Sequence, residues 1–385
     1  MAQEDAVAGT DGRPGSDRLT AAPAGTARST AVPGDTPELG RRMGRRSLVW
    51  TIGLSCILCV TVAVCVGIGP VTIPPGTVLG ILGHGLGLPV DPSWTAAEQS
   101  IVWDMRAPRV LLGLAVGAGL AVCGAALQGM VRNILADPYI LGISGGASTG
   151  AAAAILFGVA AGAGQYALPL SAFLGALIAS SLVFLLARAN GQVTSVRLLL
   201  AGIAVGYALS ATTSFLIFAS DDAEGSRSVM FWLLGSLALA RWDAFLALVV
   251  AVVLVTVAFL VLWARRLDAL SVGDETSRAL GVAPMATRIQ LLVVVSLCTG
   301  AVVAAAGAIG FVGLVVPHLG RRIAGAAHAR LIPVVALLGA ILLIWADAGA
   351  RVLMPPRELP IGIITALVGA PFLLILIRRM YARLS

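Results

Sequence analysis

Apolar residues along this chain come in long blocks rather than in alternation, and the blocks have membrane-crossing length. Runs near 48–68, 108–131, 140–161, 168–187, 197–219, 244–264, 288–308, 331–350 and 360–377 each approach the about 20 apolar residues a helix needs to cross hydrocarbon. One stretch does not fit a single crossing. The apolar segment 288–319 is 32 residues long, too many for one span and too few for two. Gly307, Gly310, Gly313 and Pro317 punctuate it. That punctuation predicts a full helix followed by a short returning half-helix over 309–319, a break that membranes tolerate only where protein surrounds it. Counting the half-helix, the chain crosses ten times.

The polar interruptions then acquire sides. The stretch 265–288 begins at Arg265-Arg266 and ends at Arg288, with apolar runs on both flanks. A short helix is legible inside it. Asp274 and Glu275 suit a helix N-terminus, Gly281 suits a left-handed stop, and Pro284 prevents continuation. The segments 69–107, 162–167, 220–243 and 351–359 fall on the opposite side as loops. Within 220–243, residues 229–240 read as an amphipathic interfacial helix anchored by Trp232 and Trp242. Residues 1–46 are rich in Ala, Gly, Pro, Thr and Asp without apolar periodicity, which predicts a disordered cytoplasmic tail ahead of a transmembrane domain over 47–385.

Charge placement decides between nine and ten crossings. With ten, Arg188, Arg265, Arg266, Arg288, Arg321, Arg322, Arg330, Arg378, Arg379 and Arg383 all share the cytoplasmic side with both termini. With nine, Arg321, Arg322, Arg330 and the three C-terminal arginines change sides, against the positive-inside tendency. Composition agrees with the pattern: 58% of the 385 residues are hydrophobic, 12% are charged, and the mean hydropathy is +0.95. This is a polytopic membrane protein. The net charge of +7 therefore reflects topology and not nucleic-acid binding. All 26 cations are arginine, so the chain has no phosphate-loop lysine and hydrolyses no ATP by that route. Arg45-Arg46-Ser47-Leu48 loosely resembles a twin-arginine export signal. The run behind it is too long, lacks a small-residue cleavage site, and is followed by many more spans.

Candidate chemistry is sparse. Cys56, Cys59, Cys65, Cys123 and Cys298 all lie in apolar runs, and His84, His318 and His328 are far apart. Cys56 and Cys59 form a C-x-x-C, but on a spanning segment with no nearby histidine or second pair, and the histidines make no ligand cluster. No nucleophile–base pair is visible, which argues against an intramembrane enzyme. Asp347 is the one carboxylate inside a predicted span, thin support for an ion-coupled secondary transporter. Two spans carry small residues at four-residue spacing: Gly113, Gly117, Ala121, Ala125 and Gly129 in one, and Gly202, Gly206, Ser210 and Ser214 in the other. Both stripes suit close helix packing, and the hydroxyls of the second also suit a pathway. Arg106, Arg109 and Arg351 sit at the outer ends of spans, placed either to snorkel or to meet acidic groups on an external partner.

Several stretches together resemble the FecCD-type permeases, membrane subunits of ATP-binding-cassette importers for ferric siderophores, haem and cobalamin. They are Arg106-Ala107-Pro108-Arg109, Gly124-Ala125-Ala126-Leu127-Gln128, Arg132-Asn133-Ile134-Leu135-Ala136-Asp137-Pro138 and Leu141-Gly142-Ile143-Ser144-Gly145-Gly146-Ala147. Gly310-Phe311-Val312-Gly313-Leu314-Val315-Val316-Pro317-His318, Glu358-Leu359-Pro360-Ile361-Gly362 and Gly369-Ala370-Pro371 complete the set. Where the family often has Asn-Pro-Leu, this chain has Asn133-Ile134-Leu135. The resemblance runs over about residues 48–380 and implies an all-α fold of about ten transmembrane helices, the type II importer permease. It implies a non-catalytic subunit in the plasma membrane, working with a second permease copy or paralogue. ATPase partners on the cytoplasmic side would hold the ATP and magnesium, and this chain would hold no cofactor. The family's coupling element maps onto Asp274, Glu275, Ser277, Arg278, Leu280 and Gly281. Its docking arginines for an extracytoplasmic substrate-binding protein map onto Arg106, Arg109 and Arg351. Its translocation path maps onto Gly202, Gly206, Ser210 and Ser214. A ferric siderophore is the expected cargo, with cobalamin and haem as alternatives.

Overall fold

A computed structural model describes residues 37–189 and 192–381. The chain divides into Met1–Arg41 and the compact unit Arg42–Ser385. Of the tail expected over 1–46, residues 1–36 lie outside the described residues, and helix α1 begins at Pro37.

Ten helices make up the bundle among the described residues, seven of them long and apolar enough to cross a membrane. Along the chain they are α1 (Pro37–Gly67), α3 (Ala96–Val131), α4 (Ile143–Phe157), α5 (Ala167–Ala187) and α6 (Ser195–Phe218). They continue with α8 (Ala244–Leu262), α11 (Pro284–Ala306), α12 (Val312–Ala324), α13 (His328–Val352) and α14 (Ile361–Tyr381). Between them lie four shorter surface helices: α2 (Pro75–Gly85), α7 (Ala223–Leu233), α9 (Ala264–Val272) and α10 (Asp274–Ala279). Two-residue strands, Arg188–Ala189 and Gln192–Val193, pair antiparallel at the start of α6.

The break expected inside 288–319 is present. α11 ends at Gly307, whose φ of +71° few side chains tolerate, and α12 returns from Val312. Backbone groups freed at such a break need partners inside the bilayer. The Ser236 N–H donates to the Ala306 carbonyl at 2.8 Å. The Tyr139 hydroxyl accepts from the Ile309 N–H at 2.9 Å and donates to the Ile309 carbonyl at 3.0 Å. One phenol thus stands in for a missing turn of helix.

Two loop readings are corrected. The segment 69–107 is largely helical, holding α2 and the first turns of α3. A reciprocal cap starts α3: the Glu98 N–H donates to the Thr95 hydroxyl, and the Thr95 N–H to the Glu98 carboxylate. A π-helical stretch over Ser100–Arg106 follows. The interfacial helix expected at 229–240 is α7, shifted earlier. Asp222 caps it by accepting from the N–H groups of Glu224 and Gly225, and Gly235 at φ +76° ends the segment.

Small residues govern the core. α3 lies at the centre, with 83% of its most apolar window buried, and α11 and α13 flank it. A Cβ on Gly117 would collide with the Gly339 carbonyl of α13, and one on Gly124 with the Gly313 carbonyl of α12. The α3 stripe is therefore a packing stripe that brings backbones together. Around it Val116, Leu120, Val122, Leu127, Leu291, Val302, Leu331 and Val335 make the buried core. α6 is the opposite case, with only 17% of its window covered.

Candidate functional site

Polar residues gather at the two ends of the bundle. The first end is built around α9 and α10, which Gly273 joins at φ +142°. Asp274 opens α10 and accepts both arms of the Arg288 guanidinium, at 2.6 and 2.9 Å. Arg132, the left-handed C-cap of α3, approaches the same carboxylate at 3.8 Å. The Arg288 hydrogen bonds come first, and with the nearby arginines they outweigh partial burial and hold the Asp274 carboxyl below its ordinary range. The expected left-handed stop is in place: Gly281 has φ +75°, and its N–H donates to the Arg278 carbonyl.

The expected coupling residues thus sort by direction. Asp274 is committed to Arg288, and Ser277 is fully buried. Glu275, Arg278, Leu280 and Gly281 are exposed, Leu280 at 64%. α10 is fixed on one side and bare on the other.

A second tie, which sequence reasoning missed, holds α9. Asp268 accepts from the His328 backbone N–H at 2.9 Å and from its Nδ1 at 2.6 Å. Burial raises the Asp268 carboxyl, but the His328 contacts prevail and leave it below its ordinary value. The His328 ring is 4% exposed and presses its Nε2 edge toward Gly129 of α3. Beside it, Arg321 of α12 donates to Gln128 of α3 at 2.6 Å. The base of the α9–α10 pair is therefore bonded to α11, α13 and the end of α3.

The second end contains the three outer arginines, and the structure turns two of them inward. Arg106 is 6% and Arg351 3% exposed. Arg351 donates to the carbonyls of Cys65 (2.8 Å) and Ile68 (2.6 Å). Arg106 donates to those of Val66 (3.1 Å), Gly67 (2.8 Å) and Val71 (2.6 Å). Together they satisfy the carbonyls that the C-terminus of α1 leaves open and place positive charge at the negative end of its dipole. Exposed snorkelling is thus excluded for both.

Arg109 is more accessible. Its Nε donates to Asp347 at 2.9 Å and its Nη1 to Glu358 at 2.8 Å, and Glu358 is itself 42% exposed. Asp347 also pairs with Arg351 at 3.2 Å. The carboxylate that looked isolated in sequence is held between two arginines, which removes the support for an ion-binding acid. Four charges at the same depth on neighbouring span ends were the signal for this cluster. Among the described residues no group of metal-ligating side chains is present.

The expected path stripe splits. Gly202 is buried against the Ile140 carbonyl, while Gly206 has no neighbour where a Cβ would stand. Ser210 and Ser214 are exposed, in helical register with exposed Ile203, Tyr207 and Phe218. That face of α6 is bare.

A family model described as the FecCD transport family matches residues 57–379. The cobalamin import system permease of Halobacterium salinarum is 46% identical over 281 residues, 73% of this chain and 74% of that protein. The hemin transport system permease of Yersinia pestis is 41% identical, over 74% of this chain and 86% of its own length. A solved metal-chelate type ABC transporter in an inward-facing conformation superposes with a TM-score of 0.74 at 33% identity, covering 86% of this chain and 98% of that one.

Proposed function

The chain belongs to the FecCD transport family, and from that premise we propose that it carries a ferric siderophore across the plasma membrane as the permease subunit of an ATP-binding-cassette importer. Membership makes it a multi-pass transport component that works with ATPase partners and a second permease subunit. The siderophore is this reading's own step. It is supported by the metal-chelate type of the structural neighbour and by the haemin relative. Cobalamin is the second reading, favoured by the 46% identity to a cobalamin permease.

The observation that carries the coupling role is the two-sidedness of α10. A partner grips the exposed face of Glu275, Arg278, Leu280 and Gly281, while Asp274–Arg288 and Asp268–His328 pass its movement into α11 and α13. ATP and magnesium bind on the partner, which biases two membrane states through its contact with this helix. The face bearing α9 and α10 is cytoplasmic, with both termini on that side.

At the opposite face a substrate-binding protein docks on the rim above the arginine cluster. Its carboxylates compete with Glu358 for Arg109, while Arg106 and Arg351, turned inward, brace the end of α1 beneath the rim. Ser210, Ser214 and the opening beside Gly206 line the path, closed from the far side by the second subunit.

The test is uptake of iron-labelled siderophores and of labelled cobalamin in a null strain with and without this gene, under iron limitation. Energy-dependent iron uptake restored by the gene supports the siderophore reading. Restored cobalamin uptake alone replaces the cargo, and restoration of neither overturns both.

A further inference from the structure

Most of the outward surface of this fold is evenly apolar, but one groove on it has a shape and a polar mouth of its own. It lies between α5, α8 and α11 and holds about 720 Å³, with Leu170, Phe173, Leu248, Val252, Val255 and Leu297 among its walls. Along α8 it runs from Ala244 to Phe259, which at 1.5 Å per residue is roughly 22 Å. One leaflet of the hydrocarbon core is about 15 Å deep. The groove therefore has room for a full acyl chain entering from the α8 N-terminal end. Leu248, Val255 and Leu297 remain exposed in the folded chain at 58, 68 and 40%. At this depth in a spanning bundle the medium in contact with them is hydrocarbon.

The upper end of the groove is not apolar. It continues into a second cavity of about 700 Å³, sharing Tyr166, Pro169, Phe245 and Ala304 with it. That cavity adds Gln165, Arg241 and Asp243. Tyr166 and Trp242 stand at this level, where aromatic side chains mark the membrane–water interface. Arg241 is exposed and has no ion-pair partner among the described residues. Asp243 gives one carboxylate oxygen to the Leu246 N–H at 2.8 Å, the N-cap of α8, and its other oxygen carries no hydrogen bond among the described residues. Glu358, also at the mouth, is already occupied by Arg109. The open charges lining the mouth thus include one cation and one anion, two residues apart in the chain, above an apolar slot.

We propose that this groove is a phospholipid site: one acyl chain lies between α5, α8 and α11, and a zwitterionic phosphoethanolamine headgroup sits at the mouth. The phosphate meets Arg241 and the ammonium meets Asp243. A headgroup with a single negative charge satisfies Arg241 but leaves the Asp243 carboxylate facing like charge, so the paired mouth selects the zwitterion. The site adjoins the proposed docking rim through Glu358, which lines its mouth. It bridges three helices, one of which, α8, has only 28% of its most apolar window buried within the chain.

The test uses the permease purified in detergent and incubated with equal amounts of palmitoyl-oleoyl phosphatidylethanolamine and phosphatidylglycerol. Bound lipid is counted by native mass spectrometry. The expected result is one phosphatidylethanolamine per chain, preferred about tenfold over phosphatidylglycerol, a difference of about 1.4 kcal/mol. Asp243→Asn, which keeps an oxygen for the α8 N-cap, should erase that preference, while Arg241→Ala should weaken retention of both lipids. Val252→Trp, which fills the slot, should cut retention at least fivefold. A parent chain that keeps no lipid, or a monodisperse Val252→Trp that keeps as much as the parent, overturns the site. So does an unchanged preference in Asp243→Asn. If Val252→Trp does not fold, a phosphatidylethanolamine with a photoreactive acyl chain decides in the parent. Cross-links should concentrate on peptides covering 244–259 and 294–304, and an even spread over the spanning helices overturns the proposal. Protection of those peptides by a ferric chelate instead of lipid also overturns it.

Discussion

At the scale of single residues this chain works with arginine alone, and its forks do what a lysine point charge does less well. The Arg288–Asp274 pair is the clearest case, with two bonds to one carboxylate. Because that carboxyl sits below its ordinary range when folded, its stabilisation is complete above the usual aspartate value near 4 and is lost as pH falls through the lower folded value. Asp274→Asn should therefore melt earlier than the parent at neutral pH, and the gap should close as the pH is lowered below about 4; equal melting at pH 7 refutes the pair. Arg106 makes a stronger claim. Arg106→Ala removes the donors to the Val66 and Gly67 carbonyls at the end of α1 and to the Val71 carbonyl just beyond it. At roughly 1–3 kcal/mol for each buried group left unsatisfied, it should lower thermal stability much more than Arg357→Ala on the exposed loop. Arg109→Glu should weaken binding-protein docking, more so at low salt, and docking indistinguishable from the parent at low ionic strength would remove that role.

Elements show why some features were legible and others were not. Each spanning helix was visible because a block of apolar residues is a local signal, and even the α11–α12 break announced itself through Gly307, Gly310 and Pro317. The short helix at Asp274 was equally plain, since its acids, Gly281 and Pro284 stand at fixed offsets. α2 was hidden because a helix of 11 residues is too short to read as a crossing and its loop looked polar. The start of α3 was there to be found in Thr95 and Glu98. What no local pattern carries is pairing over distance: Asp268 meets His328 across 60 residues, and Arg109 meets Asp347 across 238. Under the proposed coupling, the Asp268–His328 pair passes the movement of α10 on. Arg278→Glu on its bare face should abolish partner-stimulated ATP hydrolysis while leaving folding intact, as read by melting temperature and ATPase rate in the reconstituted importer. Asp268→Asn and His328→Asn should each uncouple transport from hydrolysis, and a double-mutant cycle on transport should give an interaction energy of about 0.5–3 kcal/mol. Strict additivity would mean that the two side chains act separately.

The whole molecule is unevenly clothed. α3, α11 and α13 are enclosed by the rest of the chain, while α6 shows a face with Ile203, Tyr207, Ser210 and Phe218 uncovered. A second permease subunit is part of the family's assembly, and it is expected to cover that face. Cysteines placed at Ser210 or Ser214 should form a disulfide between subunits or become unreactive to membrane-impermeant thiol reagents on assembly, whereas a cysteine at Leu48 on α1 should do neither. The order in which the chain is made gives the outer charge cluster one further consequence. α13 emerges with Asp347 and Arg351 four residues apart, so it enters the membrane carrying its own counter-charge. Arg109 of α3 instead finds its partners, Asp347 and Glu358, on segments made later. Arg109 is synthesised 238 residues ahead of Asp347, which at 5–20 residues per second is a wait of about 12–48 s. Throughout that interval Arg109 lacks the Asp347 carboxylate it pairs with in the folded chain, and the synthesis of α13 supplies it. The last quarter of translation thus completes an ion pair whose first partner is made in the first third, and a nascent chain stopped short of α13 would carry Arg109 without that carboxylate.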